Sequence, residues 1–163
     1  MNYSKSFRLL DFIFRKLLRQ NAGVSYPVHY TATIHNPSKL RIGIGTFPGD
    51  SPGVYINADN GIEVGDFTNI GPNVGLISAN HDFLDNDRRV AAPPIILGKC
   101  CWIGMSAVIL PGVHLGDFTI VGAGAVVTKS FPEGYQVLGG NPARVLKQLE
   151  PAACHVAAQR KYQ

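Results

Sequence analysis

A six-residue repeat nested inside an 18-residue repeat constrains this chain more than any other feature of its sequence. Hexads start at residues 64, 70, 76, 97, 103, 109, 115, 121 and 127, and each begins with Val, Ile or Leu. Their second residues run glycine, glycine, another residue, three times over. Three hexads per period, each a short strand and a corner, predict an all-β fold: a parallel β-helix shaped like a triangular prism.

The hexads also predict the interior of the prism. The branched aliphatic residue that opens each hexad should point inward and stack on its equivalent in the next coil, for example Leu97 on Leu115 and Ile103 on Val121. Glycine at the second position is expected to permit corner conformations that other residues disfavour. A β-sandwich of short strands is the alternative, but it does not account for the nested repeat. Residues four positions after each hexad opening should also face inward, namely Thr68, Val74, Asn80, Cys101, Ala107, Val113, Thr119, Ala125 and Phe131.

The chain is predicted to have three parts. Residues 1–22 predict an amphipathic helix with apolar residues 7, 10, 14, 17 and 18 on one face. This helix is expected to cap the prism or pack on a partner subunit; resting on a membrane surface is the alternative. Residues 23–142 form the β-helix, with a looser section at 43–61 and a polar excursion loop at 82–94. Residues 143–163 form a C-terminal segment, a short strand or helix followed by a polar, alanine-rich tail that is compatible with disorder.

Composition excludes several classes of protein. The net charge is +4, and the basic residues are scattered without a run of five, which disfavours a nucleic-acid partner and suits a small anionic ligand. Three cysteines without a framework spacing predict reduced thiols and a cytoplasmic location. No apolar stretch reaches the roughly 20 residues that span a bilayer.

Three segments resemble the hexapeptide acetyltransferases, in the branch of maltose, galactoside, nodulation-factor and polysaccharide O-acetyltransferases. They are IEVGDFTNIGPNVGLISANHD, PIILGKCCWIGMSAVILPGVHLGDFTIVGAGAVVTKSFP and GGNPARVLKQL, within about residues 54 to 149. The resemblance implies a left-handed winding, acetyl-CoA as co-substrate with no metal, and a homotrimer with active sites between neighbouring prisms. It also implies that the acceptor is a hydroxyl of a sugar or polysaccharide precursor.

His81 is the predicted general base. Acyl transfer to an alcohol requires removal of the alcohol proton, and a neutral imidazole does this near pH 7. His81 ends a hexad, so it should lie at a corner under the excursion loop, and it matches the catalytic histidine of the family. No nucleophile–base pair is evident, which favours direct transfer in a ternary complex. A backbone carbonyl or an acid such as Asp82 could orient the imidazole.

The resemblance implies further site residues. Tyr55 and Asn57 match the acceptor side of the family's site, although an asparagine in a turn is nearly as good an interpretation of Asn57. Trp102 matches a tryptophan at the edge of the cofactor and acceptor site, and packing against a neighbouring subunit is its alternative. The remaining predicted contacts to CoA, each basic one equally compatible with a solvated charge, are Gly104, Gly122, Gly124, Lys129, Arg144 and Lys147.

Other functions remain open at this point. An N-acetyltransferase acting on an amino sugar, or a serine-type O-acetyltransferase, would use the same fold. The serine type usually has a large helical N-terminal region, for which 22 residues are too few. A γ-type carbonic anhydrase needs two zinc-binding histidines five residues apart, which this chain lacks. A non-catalytic β-helix would tolerate His81→Ala.

Overall fold

Short parallel strands wind into a three-sided prism. The structure, a computed structural model, describes residues 3–162. Its strands are β1 (Thr33–His35), β2 (Leu40–Ile42), β3 (Tyr55–Asn57), β4 (Ile62–Val64), β5 (Asn69–Ile70), β6 (Gly75–Ile77), β7 (Asn80–His81), β8 (Arg89–Val90), β9 (Ile95–Leu97), β10 (Trp102–Ile103), β11 (Val108–Ile109), β12 (His114–Leu115), β13 (Thr119–Val121), β14 (Val126–Val127), β15 (Gln136–Gly139) and β16 (Arg144–Gln148). Face A is β1-β3-β6-β11-β14, face B is β2-β4-β9-β12, and face C is β5-β10-β13-β15-β16.

The predicted stacking is confirmed. Leu97 pairs with Leu115 on face B, and Ile103 pairs with Val121 on face C, both in parallel register. Each buried aliphatic side chain stabilises the prism by about 1.5–3 kcal/mol. The hexad-opening residues are all buried, with at most 3% of their surface exposed: Val64, Ile70, Leu76, Leu97, Ile103, Ile109, Leu115, Val121 and Val127.

The prediction for the second set of interior residues is confirmed with one exception. Eight of the nine predicted side chains are buried, including Phe131, which is bridged to Leu115 where the prism ends. The prediction that Asn80 faces inward is wrong, because its side chain is exposed. The chain leaves the prism wall after β6, and Asn80 begins the hairpin strand β7 instead of a corner.

The role expected for glycine at the second hexad position is also wrong. The left-handed corner conformation is adopted by Phe67, Cys100 and Phe118, with φ of 57°, 54° and 55°. Gly98 does not have a positive φ. A Cβ on Gly98 would lie 2.6 Å from the Asp117 nitrogen of the next coil. Glycine is therefore needed here for the close approach of neighbouring coils.

An excursion interrupts the third coil. The chain forms the antiparallel hairpin β7–β8, in which Asn80 pairs with Val90 and His81 with Arg89. It rejoins the wall at Ile95, and β9 continues the parallel ladder between β4 and β12. His81 therefore lies on the excursion itself, beside the corner between faces A and B.

The N-terminal helix begins at Lys5. The segment α1 (Lys5–Asp11) continues as a π-helix over Phe12–Leu17. Phe7, Leu10 and Phe14 are partly buried, as the predicted apolar face requires, and Phe14 packs on Tyr30 at a centroid distance of 5.1 Å. Leu17 and Leu18 do not continue that face, because the wider π turns rotate them away, and they are 63% and 64% exposed.

The C-terminal tail is a helix. The segment α2 (Pro151–Tyr162) follows β16, which pairs antiparallel with β15. The Tyr162 ring stacks on Phe67 at 4.1 Å, and the His155 Nε2 lies 3.0 Å from the Tyr135 hydroxyl. These aromatic contacts along one corner of the prism hold a segment whose composition is compatible with disorder. Within residues 3–162, no helix has the length and apolar character needed to cross a bilayer.

Candidate functional site

The hairpin β7–β8 presents the His81 imidazole to solvent with a defined tautomer. Its Nδ1 is hydrogen-bonded to the backbone carbonyl of Asn86. A carbonyl oxygen can only accept, so Nδ1 carries the proton and Nε2 keeps its lone pair. A neutral imidazole in this tautomer is ready to accept a proton at Nε2.

Asp82 holds the loop and does not orient the imidazole. Its carboxylate contacts the Arg88 guanidinium and accepts a hydrogen bond of 2.9 Å from the Leu84 N–H. The bond from Arg88, followed by that from the Leu84 N–H, lowers the pKa of Asp82. Its N–H also donates to the Arg88 carbonyl over 2.8 Å. Of the two orienting groups that the sequence left open, the structure has the backbone carbonyl.

The hairpin is attached to the coil below by Asp59 and Asn60. The Asp59 carboxylate contacts the Arg89 guanidinium, and Arg89 is the cross-strand neighbour of His81. The Asn60 amide donates to the carbonyls of Ser78 and Val90, over 2.9 Å and 3.1 Å. Both ends of the hairpin are thus anchored to one corner. A groove of about 480 Å³ opens beside this corner on face B.

Asn57 and Tyr55 lie on face A, one coil below the strand that leads to His81. The Asn57 Oδ1 accepts a 3.0 Å hydrogen bond from the Asp59 N–H, which is the turn contact considered as its alternative role. Its Nδ2 has no acceptor among residues 3–162 and is available as a donor. Tyr55 is 41% exposed and packs edge-on against His35.

Trp102 and two of the basic residues lie on face C, away from His81. Trp102 is 54% exposed and pairs with Ile120, which pairs with Val137, which in turn pairs with Lys147. These residues therefore occupy one row across the outer surface of face C. Arg144 pairs with Gly139 at the end of β15, where face C meets face A.

Two amide groups beside glycines are available at the corner between faces C and A. The N–H groups of Gly104, Gly122 and Gly124 are all used in bonds to the carbonyls of adjacent coils. The N–H groups of Met105 and Ala123, each one residue beyond a glycine, have no acceptor in the described part of the chain. Gly124 has a φ of +69°, and a Cβ built on it would contact nothing within 4 Å, so this corner is open to solvent.

Lys129 lies on the other edge of face A. It follows β14 at the corner between faces A and B, with its Nζ 5.5 Å from the Phe131 ring. His81 follows β6 at the same corner. One chain therefore carries two separate groups of predicted site residues, with Trp102 and Arg144 beyond the opposite edge. The strands of face A, about 10 Å long at three residues, lie between them.

The cysteines are poorly suited to nucleophilic attack. Cys101 is 2% exposed, and burial raises the pKa of its thiol to about 11. Burial, with the charges of Asp117 and Asp66, also raises the pKa of Cys100. A thiolate is the reactive form, so both groups are largely unreactive at neutral pH. Among residues 3–162, no group of three or more His, Cys, Asp or Glu side chains is arranged to hold a metal ion.

Sequence reasoning missed the residues whose role depends on the closed loop. Asn86 lies in the loop, three residues before β8, and nothing in its surroundings indicated that its carbonyl meets His81. The pair Asp59 and Asn60 was a visible signal, because an acidic and an amide side chain stand together just after a predicted strand. The amides of Met105 and Ala123 could have been found from the corner position after each second-position glycine.

Comparisons with known proteins agree with this architecture. A family profile described as "Bacterial transferase hexapeptide (six repeats)" matches residues 94–129. The putative colanic acid biosynthesis acetyltransferase WcaF of Escherichia coli (strain K12) is 31% identical over 142 residues, which cover 87% of this chain and 76% of that protein.

Solved structures extend the likeness to the whole prism. A maltose O-acetyltransferase from Clostridium difficile 630 is 32% identical, with a TM-score of 0.63 over 73% of this chain and 64% of that chain. A variant of AntD, an N-acyltransferase from Bacillus cereus in complex with dTDP and coenzyme A, is 22% identical, with a TM-score of 0.66 over 99% and 98% of the two chains. The second likeness shows the fold alone. The left-handed β-helix implied by the hexads and their resemblance is confirmed.

Proposed function

Because the chain belongs to the bacterial hexapeptide transferase family, it is a CoA-dependent acyltransferase, and we propose that it acetylates a sugar hydroxyl of a polysaccharide precursor. Acetyl-CoA is the co-substrate. Two similar proteins are named for carbohydrate acceptors, one for colanic acid biosynthesis and one as a maltose O-acetyltransferase. The acceptor class follows from these names and from the loop NHDFLDNDRR, which resembles enzymes of surface-polysaccharide synthesis.

One observation carries the mechanism: the hydrogen bond between His81 Nδ1 and the Asn86 carbonyl leaves Nε2 as the base. The acceptor hydroxyl loses its proton to Nε2 as its oxygen bonds to the thioester carbon. The carbon–sulfur bond then breaks, and the imidazolium returns the proton to the departing thiolate. The Asn57 Nδ2 is a suitable donor to the acceptor oxygen. This is direct transfer, in keeping with the buried, protonated Cys101.

The developing oxyanion requires donors that are already in position. The amides of Met105 and Ala123 meet this need, because they are one coil apart at an open corner and have no acceptor in the described chain. Arg144 and Lys147 lie above them and supply charge for the CoA phosphates. Lys129 lies at the His81 edge and would approach the phosphates from the other side.

A homotrimer accounts for the separation of these groups. His81, Asn57 and Lys129 belong to one edge of face A, while Trp102 and the free amides belong to the other edge or to face C. We propose that the site forms where one edge of one prism meets the opposite edge of its neighbour. Three copies around an axis close such a head-to-tail contact. Three free cysteines and an acetyl-CoA substrate agree with a cytoplasmic reaction.

The experiment measures thiol release from acetyl-CoA with a panel of neutral sugars, amino sugars and glycan precursors. We expect turnover with a hydroxyl acceptor and a loss of about 10²–10⁴-fold in kcat for His81→Ala, as for removal of a general base. His114→Ala, which changes an exposed histidine on face B, is the matched control and should retain turnover.

Three results would contradict the proposal. Turnover confined to amino groups would make the protein an N-acetyltransferase. A His81→Ala variant with normal kcat would remove the general-base mechanism and leave the acyltransferase assignment. The absence of turnover above His81→Ala with every acceptor would remove the proposed acceptor class.

A further inference from the structure

The N-terminal helix has a second face that the prism does not cover. Phe7, Asp11 and Arg15 face the prism: Arg15 is hydrogen-bonded to Asp11 and to the Val24 carbonyl, and Asp11 accepts from the Val28 N–H over 3.0 Å. The apolar side chains on the opposite side are largely exposed, at 59% for Leu9, 54% for Phe12, 63% for Leu17 and 64% for Leu18. The helix is thus packed on one side only, and its opposite side exposes large apolar side chains.

Basic side chains border the exposed face. Residues 1–22 contain five of the 15 basic residues and one of the 11 acidic residues, so they carry all of the formal net charge of +4. The single acid, Asp11, is buried and paired with Arg15. The other four basic side chains are exposed and have no carboxylate within 4 Å among residues 3–162, namely Lys5, Arg8, Lys16 and Arg19.

The π-helical segment aligns the apolar and basic residues. Residues four apart share a face in such a helix, so Leu9 and Leu17 lie along one line, and Arg8, Phe12 and Lys16 lie along the next. A helix with large apolar side chains between cations is the form that lies in a membrane interface, with its apolar residues below the headgroups.

We propose that this face docks on an anionic lipid surface. The charge argues against the same face of a second copy, because that self-complementary contact would oppose two cationic faces. A lipid surface accepts both the apolar side chains and the unpaired cations. The protein would then act on a glycan carried by a membrane lipid, a step that rests on the proposed function, whereas the docking itself does not.

The test is sedimentation with vesicles of phosphatidylcholine, with and without phosphatidylglycerol, at low and high salt. We expect binding only to the anionic vesicles, weakened by salt. The double variant Leu9→Ser/Phe12→Ser should weaken the apparent Kd at least tenfold. Arg8→Gln/Lys16→Gln should weaken it about fivefold for each charge removed.

Matched controls change equally exposed residues elsewhere. Ile44→Ser/Val156→Ser and Arg160→Gln/Lys161→Gln alter apolar and basic side chains away from the helix and should bind like the unmodified protein. Turnover with a soluble acceptor should be unchanged in all of these variants, which also shows that they fold.

Three outcomes would overturn the docking: no binding to anionic vesicles, binding that the helix variants leave intact, or helix variants that change the oligomeric state instead of vesicle binding. The last would make the face an interface between copies. Vesicle binding without any acetyl transfer would support the docking while removing the proposed function. Transfer to soluble sugars without vesicle binding would remove the docking alone.

Discussion

We expect Asp59 to be a positioning residue at the corner of His81. Its carboxylate contacts Arg89, the cross-strand neighbour of His81, and it is only 8% exposed. We expect Asp59→Asn to lower kcat about tenfold or more, because a small displacement of a catalytic base is costly. The KM for acetyl-CoA should change little, since the predicted contacts to CoA at Trp102, Arg144 and Lys147 lie on face C. Steady-state kinetics measure both values.

Glu63→Gln is the matched control for this change. Glu63 forms an ion pair of 3.0 Å with Arg41 on the same side of the prism, but this pair is exposed and contacts no part of the hairpin. It should leave kcat and the melting temperature unaltered, because exposed pairs contribute little. An Asp59→Asn variant with unchanged kcat, or one that loses kcat only together with its fold, would contradict the positioning role.

At the level of single residues, the sequence indicates candidates more readily than their contacts. His81 and Trp102 are candidates because each stands at a fixed position of the hexads and their motifs. The contact with the Asn86 carbonyl could not be predicted, because this carbonyl meets the imidazole only after the loop has closed. Gly98 was assigned for the wrong reason: a periodic glycine indicates either a special φ or a close approach, and sequence alone does not separate the two.

The N-terminal helix should detach in acid while the prism persists. Burial raises the pKa of Asp11, but hydrogen bonds from Arg15 and the Val28 N–H, with the charges of Arg15 and Lys16, outweigh it and lower the pKa overall. A carboxylate whose pKa is lowered on folding stabilises the fold at any pH above its ordinary pKa. This stabilisation is lost as the pH falls through the pKa of the folded state. We therefore expect amide protection factors over residues 5–17 to drop below about pH 4.

Asp11→Asn should remove this acid step. At neutral pH it should also weaken the packing of the helix on the prism by about 1–3 kcal/mol, since Arg15 loses its charged partner. Asp66→Asn is the control, because the pKa of Asp66 is also lowered, by the Ile44 N–H and Lys99, but this residue lies on the prism. Burial raises the pKa of Asp50, which therefore acts in the opposite direction. An acid step that persists in Asp11→Asn would contradict the prediction.

Strands that follow the six-residue repeat could be predicted, whereas elements placed by individual long-range contacts could not. Nine hexads predicted the strands from Val64 to Val127 because each hexad repeats the same pattern of burial. The prediction of the apolar helical face beyond Phe14 was wrong. A π turn changes the direction of the following side chains around the helix, which a 3.6-residue period does not anticipate. The terminal helix is held against the prism by stacking of Tyr162 on Phe67, two residues that are 95 positions apart in the sequence.

For the whole molecule, the prism itself separates the proposed catalytic groups. A three-sided solenoid cannot fold one face onto another, because each coil contacts only its neighbours above and below. Groups on opposite edges of face A therefore stay apart in one chain, however the side chains move. On the proposed function, a complete site therefore requires a second copy alongside. The sequence could predict this from resemblance alone, since nothing in a single repeat encodes the contact between prisms.

Mixed assemblies should therefore recover activity from two inactive parents. His81→Ala removes the base from one edge, and Trp102→Ala/Arg144→Ala alters the other. When the two variants are expressed together with different tags and purified through both, only mixed trimers remain, and about one third of their sites should receive an intact edge from each parent. Turnover near that fraction of the unmodified enzyme would place each site between chains. Two differently tagged His81→Ala chains, treated alike, should stay inactive, and a mixture no more active than its parents would mean that each chain holds its site alone.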